Sequence, residues 1–373
     1  MKKPKVAVAL SGGVDSAVAA ALLVKQGYDC TGFHMDLWSE SRSGAQNKCC
    51  DLASLKIVLR TTFQLKIPFY KLDLKKVFKQ KVVDCFLADY AQGLTPNPCV
   101  QCNRFIKFGV LLDYLRKKGF DFMATGHYAQ LELSKDKNDI YHLLKAKDSL
   151  KDQSYFLYNL TQDQLSHLLF PVGGYFKKEV KKMAKEWQLP VVNRSESQEI
   201  CFFPEKDYRP FLKRNLKERI KSGEVIDING KVIGHHSGLP LYTIGQRHGF
   251  KLETKSILNG MIPPYYVVGK SFETNQLIVG FGAQTEAKEF SVSQLNFIDQ
   301  ENFSRVRSKS KEVEVRIRHQ GDFLKGRLKK AQNKNSLRVV LNEPERGVAP
   351  GQSAVFYKGR ELLGGGIITV DKI

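Results

Sequence analysis

The sequence lacks any run of apolar residues long enough to span a membrane. A membrane-spanning helix needs about 18 consecutive apolar residues, and no run in the 373 residues approaches this length. The apolar stretch that follows Met1-Lys2-Lys3-Pro4 is also too short for the core of a secretory signal peptide, and no cleavage pattern follows it. We therefore expect a cytoplasmic protein that makes no membrane contact.

The seven cysteines do not form the pattern of a secreted, disulfide-bonded protein. Their number is odd, and the chain is long and has no export signal, which together favour a reducing compartment. We therefore expect some of these thiols to be kept for chemistry.

Acidic residues are in deficit. Asp and Glu number 38 against 59 Lys and Arg, which gives a formal net charge of +21. Such an excess attracts polyanions, and nucleic acid is the first candidate. A generally basic proteome would produce the same balance, so the charge alone does not decide between the two explanations.

Strand and helix patterns alternate over the first part of the chain, to about residue 205. Alternation of this kind predicts an α/β fold with a doubly wound parallel sheet, in which a ligand lies beyond the carboxyl ends of the strands. The predicted strands are Val6–Leu10, Tyr28–Met35, Ile67–Asp73 and Phe120–Thr125, and the predicted helices are Ser16–Gln26, Asp51–Gln64, Leu74–Ala91 and Asn103–Lys118.

The pattern changes after about Pro210. Asn229-Gly230 between two short strands is a strong hairpin signal, and it opens a small β-rich module. From about residue 285 short strands follow one another closely, which is typical of a small barrel or sandwich. We therefore predict three domains: residues 1–208 bind ATP, 209–282 form a central β-rich domain, and 283–373 form a C-terminal β-barrel.

The sequence has no Walker A motif, but a different glycine-rich loop, Ser11-Gly12-Gly13-Val14-Asp15-Ser16, joins the first strand to the first helix. Its glycines let the backbone approach a phosphate, and the helix N-terminus offers N–H groups to an anion. Asp15 would repel a phosphate unless Mg²⁺ lies between them, so it favours a metal-bound nucleotide. A purely structural glycine pair is the alternative interpretation.

The string S-G-G-x-D-S after a first buried strand resembles the PP-loop of the ATP pyrophosphatases. Those enzymes cleave ATP between its α- and β-phosphates and adenylate a substrate. The resemblance implies that ATP, with Mg²⁺, is bound by the loop and by the backbones of two more distant residues. The implied ATP-binding residues are Ala9, Leu10, Ser11, Gly12, Gly13, Val14, Asp15, Ser16, Met35 and Gly126.

Three cysteines are candidates for chemistry: Cys99, Cys102 and the later Cys201. A helix predicted to begin near Asn103 places Cys102 at its N-terminus, where a thiolate is favoured. The C-x-x-C pair has no second ligand pair for a zinc site, which leaves thiol chemistry or a metal cluster that includes Cys201. The remaining cysteines are weaker candidates: Cys30 and Cys85 are expected to be buried, and Cys49-Cys50 lies in a polar stretch.

Several further motifs appear in order along nearly the whole chain. They are T-P-N-P-x-x-x-C-N, A-T-G-H-Y, K-D-Q-S-Y-F-L, a late I-C-F, T-x-G-Q-R-x-G and P-G-Q-S-A-V-F-Y. Together with the phosphate loop, this set resembles the tRNA-specific 2-thiouridylases, the bacterial MnmA family. The resemblance implies that ATP adenylates O2 of the wobble uridine (U34) of tRNA. A persulfide on Cys201 then supplies sulfur to C2, and Cys102 acts as a nucleophile, ending in a Cys102–Cys201 disulfide.

The resemblance also implies two partners, tRNA and a protein that donates persulfide sulfur. Where many relatives have Asp, this chain has Cys99, which leaves open a possible iron–sulfur cluster on Cys99, Cys102 and Cys201. We favour plain thiols, because two cysteines suffice for persulfide chemistry. The implied contacts to the target base and the rest of the tRNA are Asn97, Pro98, Cys99, His127, Lys151, Asp152, Gln153, Arg318, His319 and Gln352.

Two other functions remain open from sequence alone. A PP-loop synthetase acting on another substrate class would need neither the cysteine pair nor a basic RNA-binding domain. An RNA-binding protein that kept an inactive ATP fold would not need an intact loop and both cysteines. Conversion of ATP to AMP and pyrophosphate, and its dependence on tRNA, separates the three.

Overall fold

The computed structural model describes residues 3–40, 52–134, 139–191, 200–253, 263–299, 311–331, 333 and 335–369. The strands are β1 (Lys5–Ala9), β2 (Asp29–Asp36), β3 (Phe69–Asp73), β4 (Phe122–Ala124), β5 (Ala129–Leu133), β6 (Tyr141–Lys145), β7 (Leu168–Leu169), β8 (Gly223–Ile226), β9 (Val232–His236), β10 (Lys251–Leu252), β11 (Tyr266–Ser271), β12 (Gln276–Gly280), β13 (Glu286–Phe297), β14 (Lys311–Arg316), β15 (Leu324–Lys330), β16 (Leu337–Arg346), β17 (Ser353–Lys358) and β18 (Glu361–Thr369).

Nine α-helical segments accompany these strands in the described part of the chain. They are α1 (Val14–Lys25), α2 (Leu52–Leu65), α3 (Lys75–Phe78), α4 (Asp84–Ala91), α5 (Pro98–Gln101), α6 (Leu112–Lys117), α7 (Gln162–Leu165), α8 (Lys177–Glu186) and α9 (Arg209–Asn215). π-Helical turns join α3 to α4 (Lys79–Val83) and α5 to α6 (Cys102–Leu111). None of the helices formed by described residues is both long and apolar enough to cross a bilayer.

A five-stranded sheet with parallel pairings forms the first layer, in the order β3-β2-β1-β4-β7. Its central strand β1 is buried along nearly its whole length because its sequence, KVAVA, carries apolar side chains to both faces. Successive strands add to one side of β1 and then to the other, so the winding reverses between β1 and β4. The predicted doubly wound sheet is confirmed, and this reversal marks where a ligand is expected.

The helix that carries Cys102 begins earlier than the sequence predicted. Asn97 accepts a hydrogen bond from the backbone N–H of Val100 at 3.2 Å, and Pro98 takes the first helical position, as proline often does. The N–H of Cys102 already donates to carbonyl groups of this first turn. The predicted placement of Cys102 at the helix N-terminus is therefore wrong, and Cys99 occupies that position instead.

The later part of the chain forms two β-rich units. The central sheet has the order β10-β9-β8-β12-β11, and Gly230, at φ +83°, completes the predicted hairpin between β8 and β9. Six strands, β13-β16-β15-β14-β17-β18, close into a barrel through the pairing of β13 with β18. The predicted barrel is confirmed, whereas the domain limits 1–208, 209–282 and 283–373 stay predictions.

The barrel sheet does not end at its own last strand. The hairpin β5–β6, which comes from the amino-terminal part of the chain, adds to it through antiparallel pairing of β6 with β18. A shared apolar cluster lies beneath this junction and includes Tyr155, Tyr357 and Leu362. The barrel and the amino-terminal sheet are therefore joined by backbone hydrogen bonds as well as by packing.

Candidate active site

The phosphate loop leaves β1 at the point where the sheet winding reverses. Leu10 is fixed on both sides: its N–H donates to the carbonyl of Phe33 at 2.7 Å, and its carbonyl lies 2.9 Å from Nδ1 of buried His34. Gly12 follows at φ +74°, a backbone conformation that favours glycine. These contacts fix the direction in which the chain enters α1.

Two serine hydroxyls hold the turn itself. Ser16 Oγ donates to the carbonyl of Gly13 at 3.1 Å, and Ser11 Oγ accepts a hydrogen bond from the N–H of Gly13 at 3.4 Å. The first turn of α1 presents N–H groups that have no partner within the helix, together with the positive end of the helix dipole. The loop is thus shaped to bind an anion such as a phosphate.

Asp15 belongs to a charge pair that the sequence did not predict. Lys177 Nζ lies 2.6 and 2.8 Å from the two carboxylate oxygens of Asp15, and the Tyr128 hydroxyl donates a hydrogen bond to the same carboxylate at 2.8 Å. Lys177 comes from the first turn of α8, and its side chain is buried. The compensating positive charge that we expected from Mg²⁺ is thus already supplied by the protein.

The other two predicted ATP-binding residues lie on the neighbouring strands. Met35 is near the carboxyl end of β2, and Gly126 follows β4. A Cβ atom at Gly126 would approach the backbone N of Ser16 to 2.6 Å, so only glycine lets this segment pack on the start of α1. The carboxyl ends of three adjacent strands therefore bring these residues and the loop to one edge of the sheet.

The structure places Cys102 and Cys201 in the same apolar cluster. Cys102 is buried in it, and half-buried Cys201 packs against it. Met35, one of the predicted ATP-binding residues, packs against this cluster as well as against the core of the sheet. Cys99 is exposed in the first turn of α5. Among the described residues, no group of three His, Cys, Asp or Glu side chains is arranged to hold a metal ion.

The remaining cysteines differ from one another. Cys30 is buried as predicted, and burial, with a smaller contribution from Asp29, raises the pKa of its thiol to about 11. The prediction that Cys85 is buried is wrong, because its side chain is exposed on α4. Partial desolvation and nearby acidic residues raise the pKa of Cys85, so neither thiol is an activated nucleophile. Cys49 and Cys50 lie outside the described residues.

Asp152 has a structural role in this fold, although the resemblance implied an RNA contact. Its side chain is only 3% exposed and forms an ion pair with Arg316 at 3.3 Å. It also accepts hydrogen bonds from the N–H of Ala146, the N–H of Ser154 and the Ser154 hydroxyl. The carboxylate is thus engaged within the protein, and the RNA contact implied for Asp152 stays a prediction.

The two neighbours of Asp152 are more accessible. Lys151 is half-buried, and its N–H donates to the carbonyl of Asp148 at 3.1 Å. Gln153 accepts a hydrogen bond from the N–H of Tyr128 at 3.0 Å, while its own N–H donates back to the Tyr128 carbonyl. Gln153 thereby holds the chain immediately after His127.

His127 is held as a neutral ring. Lys107 Nζ lies 3.5 Å from its Nε2, and Thr125 Oγ1 lies 2.7 Å from its Nδ1. Burial, and secondarily the charge of Lys107, lower the pKa of His127 well below its usual value. The ring therefore offers hydrogen bonding or stacking to a ligand rather than positive charge.

Arg318 and His319 lie in the turn after β14. Arg318 is exposed and donates to the carbonyl of Arg346 and to Glu345, each at 3.0 Å. The ring of His319 lies 4.3 Å from the ring of Phe156. Burial, and secondarily the charge of Arg316, lower the pKa of His319 to about 4, so it is neutral near pH 7.

Asn103 is a functional candidate that sequence reasoning missed. Its Nδ2 donates to the carbonyl of Phe156 at 3.2 Å, whereas its buried Oδ1 has no hydrogen-bond partner. An unsatisfied buried acceptor costs about 1–3 kcal/mol. Asn103 and His319 both contact Phe156, and these two contacts place the cysteine helix next to the barrel turn. The only sequence signal was its position directly after Cys102 in the quoted motif.

Comparison with known proteins agrees with this arrangement. The tRNA methyl transferase HUP domain matches residues 4–205, its PRC-barrel domain matches residues 209–281, and the aminomethyltransferase beta-barrel domain matches residues 287–368. The tRNA-specific 2-thiouridylase MnmA of Carboxydothermus hydrogenoformans is 42% identical over 98% of this chain and 98% of its own length. That of Chloroflexus aurantiacus is 43% identical over 97% of this chain and 98% of its own length. The chain therefore belongs to the MnmA family of tRNA-specific 2-thiouridylases.

Proposed function

We propose that this protein uses ATP to convert the wobble uridine of tRNA into 2-thiouridine. The observation that carries the proposal is the position of Met35, which packs both against the core behind the phosphate loop and against the cluster that holds Cys102 and Cys201. An adenylated base formed at the loop would lie next to the two thiols. The family relationship supports the same reaction.

In the first step, O2 of uracil attacks the α-phosphorus of ATP. The bond to the β-phosphate breaks, pyrophosphate leaves, and the base loses its N3 proton. The N-terminus of α1 and the loop hydroxyls hold the triphosphate, and Lys177 keeps Asp15 neutralised beside it. Mg²⁺ bound to the triphosphate would offset further negative charge. Adenylation turns O2 into a good leaving group.

In the second step, sulfur replaces that oxygen. The terminal sulfur of a persulfide on Cys201 attacks C2, and the C2–O2 bond breaks to release AMP. Cys102 then attacks the Sγ atom of Cys201, which breaks the S–S bond to the transferred sulfur and forms a Cys102–Cys201 disulfide. The sulfur stays on C2. A persulfide-donor protein would restore Cys201 after reduction, and tRNA as substrate is consistent with a cytoplasmic enzyme.

The direct test is mass spectrometry of nucleosides from tRNA incubated with the protein, ATP and a persulfide source. Wild type should form 2-thiouridine and release AMP and pyrophosphate. Cys201→Ser should form adenylated RNA and pyrophosphate without 2-thiouridine, whereas the matched control Cys30→Ser should behave as wild type. Absence of 2-thiouridine with wild type refutes the function, and absence of adenylated RNA with Cys201→Ser refutes the two-stage assignment.

Plain thiols are also proposed in preference to an iron–sulfur cluster. No three-ligand metal group occurs among the described residues, which include Cys99, Cys102 and Cys201. The test compares iron-free protein with anaerobically iron-reconstituted protein. Equal yields of 2-thiouridine support plain thiols, and activity confined to the iron-loaded form overturns this part of the proposal.

A further inference from the structure

The turn that connects β16 to β17 in the barrel holds the loop that leads to the cysteine helix. The N–H of Thr95 donates to the carbonyl of Pro350 at 2.8 Å. Nε2 of Gln352 donates to the carbonyl of Thr95 at 3.0 Å. Both backbone polar groups of Thr95 are thus bonded to the barrel, although 257 residues separate Thr95 from Gln352.

Gly351, between these two contacts, packs directly on the same loop. Its φ of +92° lies in the region that favours glycine. A Cβ atom there would approach the backbone N of Thr95 to 2.8 Å and Cβ of Leu94 to 2.9 Å. Two independent constraints, conformation and space, therefore require glycine at this position.

Thr95 is well placed to control the cysteines. It is buried, and it precedes the Pro96-Asn97-Pro98 segment, in which two prolines limit the backbone and Asn97 caps α5. A shift at Thr95 is therefore passed on to Asn97 and to the helix that carries Cys99 and Cys102. The Thr95 side chain also donates to Oγ1 of Thr243 in the central unit at 3.3 Å.

We propose that Gln352 and Gly351 are positioning residues for the cysteine loop. The barrel turn fixes Thr95, and through it the start of α5, so that RNA bound to the barrel is presented in a fixed register to Cys102. The presentation of RNA to Cys102 rests on the proposed function, whereas the positioning of Thr95 does not. This positioning differs from a direct RNA contact by Gln352, because the side chain acts through the protein backbone and does so before RNA binds.

The decisive measurement needs neither RNA nor catalysis. Cys102 is 8% exposed, so the rate at which iodoacetamide alkylates it, followed by peptide mass spectrometry, reports opening of the loop. Gln352→Met keeps side-chain length and charge but removes the donor. Loss of one hydrogen bond changes such an opening equilibrium about three- to tenfold. We expect Cys102 in Gln352→Met to be alkylated about three- to tenfold faster than in wild type.

The matched control is Gln80→Met, which makes the same change at an exposed glutamine of the amino-terminal unit. It should leave the alkylation rate of Cys102 unchanged. Gly351→Ala, which disturbs the same turn by a different route, should raise the rate at least as much as Gln352→Met. Thermal unfolding of each variant, followed by circular dichroism, establishes that the comparison is made on folded protein.

The alkylation rate decides the outcome. A faster rate in both turn variants supports positioning, and an unchanged rate in Gln352→Met overturns it, with weakened tRNA binding then identifying Gln352 as an RNA contact only. Positioning also predicts a lower kcat with little change in the Kd for tRNA. Because alkylation is measured without substrates, failure of this inference is distinguishable from failure of the proposed reaction, which wild-type 2-thiouridine formation tests.

Discussion

Replacing Lys177 by methionine should strongly weaken ATP binding. Methionine has a similar length but no charge, so Lys177→Met leaves Asp15 as an uncompensated carboxylate beside the phosphate loop. Two unit charges about 6 Å apart interact by about 3 kcal/mol at an effective dielectric constant of about 20. Half of this repulsion already corresponds to about a tenfold loss of affinity. We therefore expect the KM for ATP to rise about 10- to 100-fold.

The same change should lower stability. Removing one partner of a fully buried ion pair costs about 3–5 kcal/mol. The side chain of Lys177 is 9% exposed and that of Asp15 is 31% exposed, so water partly stabilises the remaining carboxylate. The loss should therefore be smaller, about 1–3 kcal/mol. Urea unfolding measures it.

Pyrophosphate release as a function of ATP concentration is the assay, and two further variants make it specific. Lys178→Met removes the same charge from the next residue of α8, which is exposed, and should leave the KM for ATP nearly unchanged. Asp15→Asn combined with Lys177→Met removes both charges and should recover most of the lost stability. An equal KM for ATP in Lys177→Met and Lys178→Met would refute the role assigned to the pair.

Three further predictions concern other parts of the molecule. Asp152→Ala leaves buried Arg316 without its carboxylate partner and should lower the free energy of unfolding in urea by about 3–5 kcal/mol. Asp163→Ala breaks an exposed ion pair and should lower it by less than about 1 kcal/mol. The pKa of His319, about 4, lies below its ordinary value, so on acidification the unfolded state takes up the proton before the folded state does. The contribution of His319 to the free energy of unfolding should therefore be constant above about pH 6.5 and fall as the pH is lowered towards 4. His319→Gln should make the measured fall of stability with decreasing pH less steep. Cys99→Asp places a carboxylate in the first turn of α5, where the helix dipole favours a negative charge. This variant should form 2-thiouridine at a rate within about threefold of wild type. Loss of activity would contradict the view that Cys99 only lines the pocket for the target base.

The sequence predicted those parts of the site that depend on local pattern. The phosphate loop could be placed because a buried strand, two glycines and a helix start follow one another within a few residues. Lys177 could not be found this way, because it lies 162 residues from Asp15 and sits in a helix full of other lysines. Only the three-dimensional packing of α8 against α1 selects it.

The start of the cysteine helix and the burial of Asp152 could not be predicted from the sequence, for specific reasons. The pattern predicts a helix that begins near Asn103, but a proline at the first helical position begins a helix when an asparagine caps it. The helix therefore begins at Pro98, four residues before Cys102. Asp152 lies in a polar stretch, and nothing local shows that Arg316 reaches it from the barrel. Long-range pairing decides both its burial and the addition of β5–β6 to the barrel.

The pairing of β6 with β18 has a consequence for how the protein is made. His142 on the hairpin lies 2.8 Å from Glu361 on β18, although the two are 219 positions apart in the sequence. At ribosomal speeds of about 5–20 residues per second, the hairpin emerges roughly 10–40 s before its partner strand exists. During that interval its edge offers unpaired N–H and C=O groups to any other strand nearby. Synthesis of β18 thus ends a period in which the hairpin can pair wrongly, and a nascent chain stalled before β18 would remain in that state.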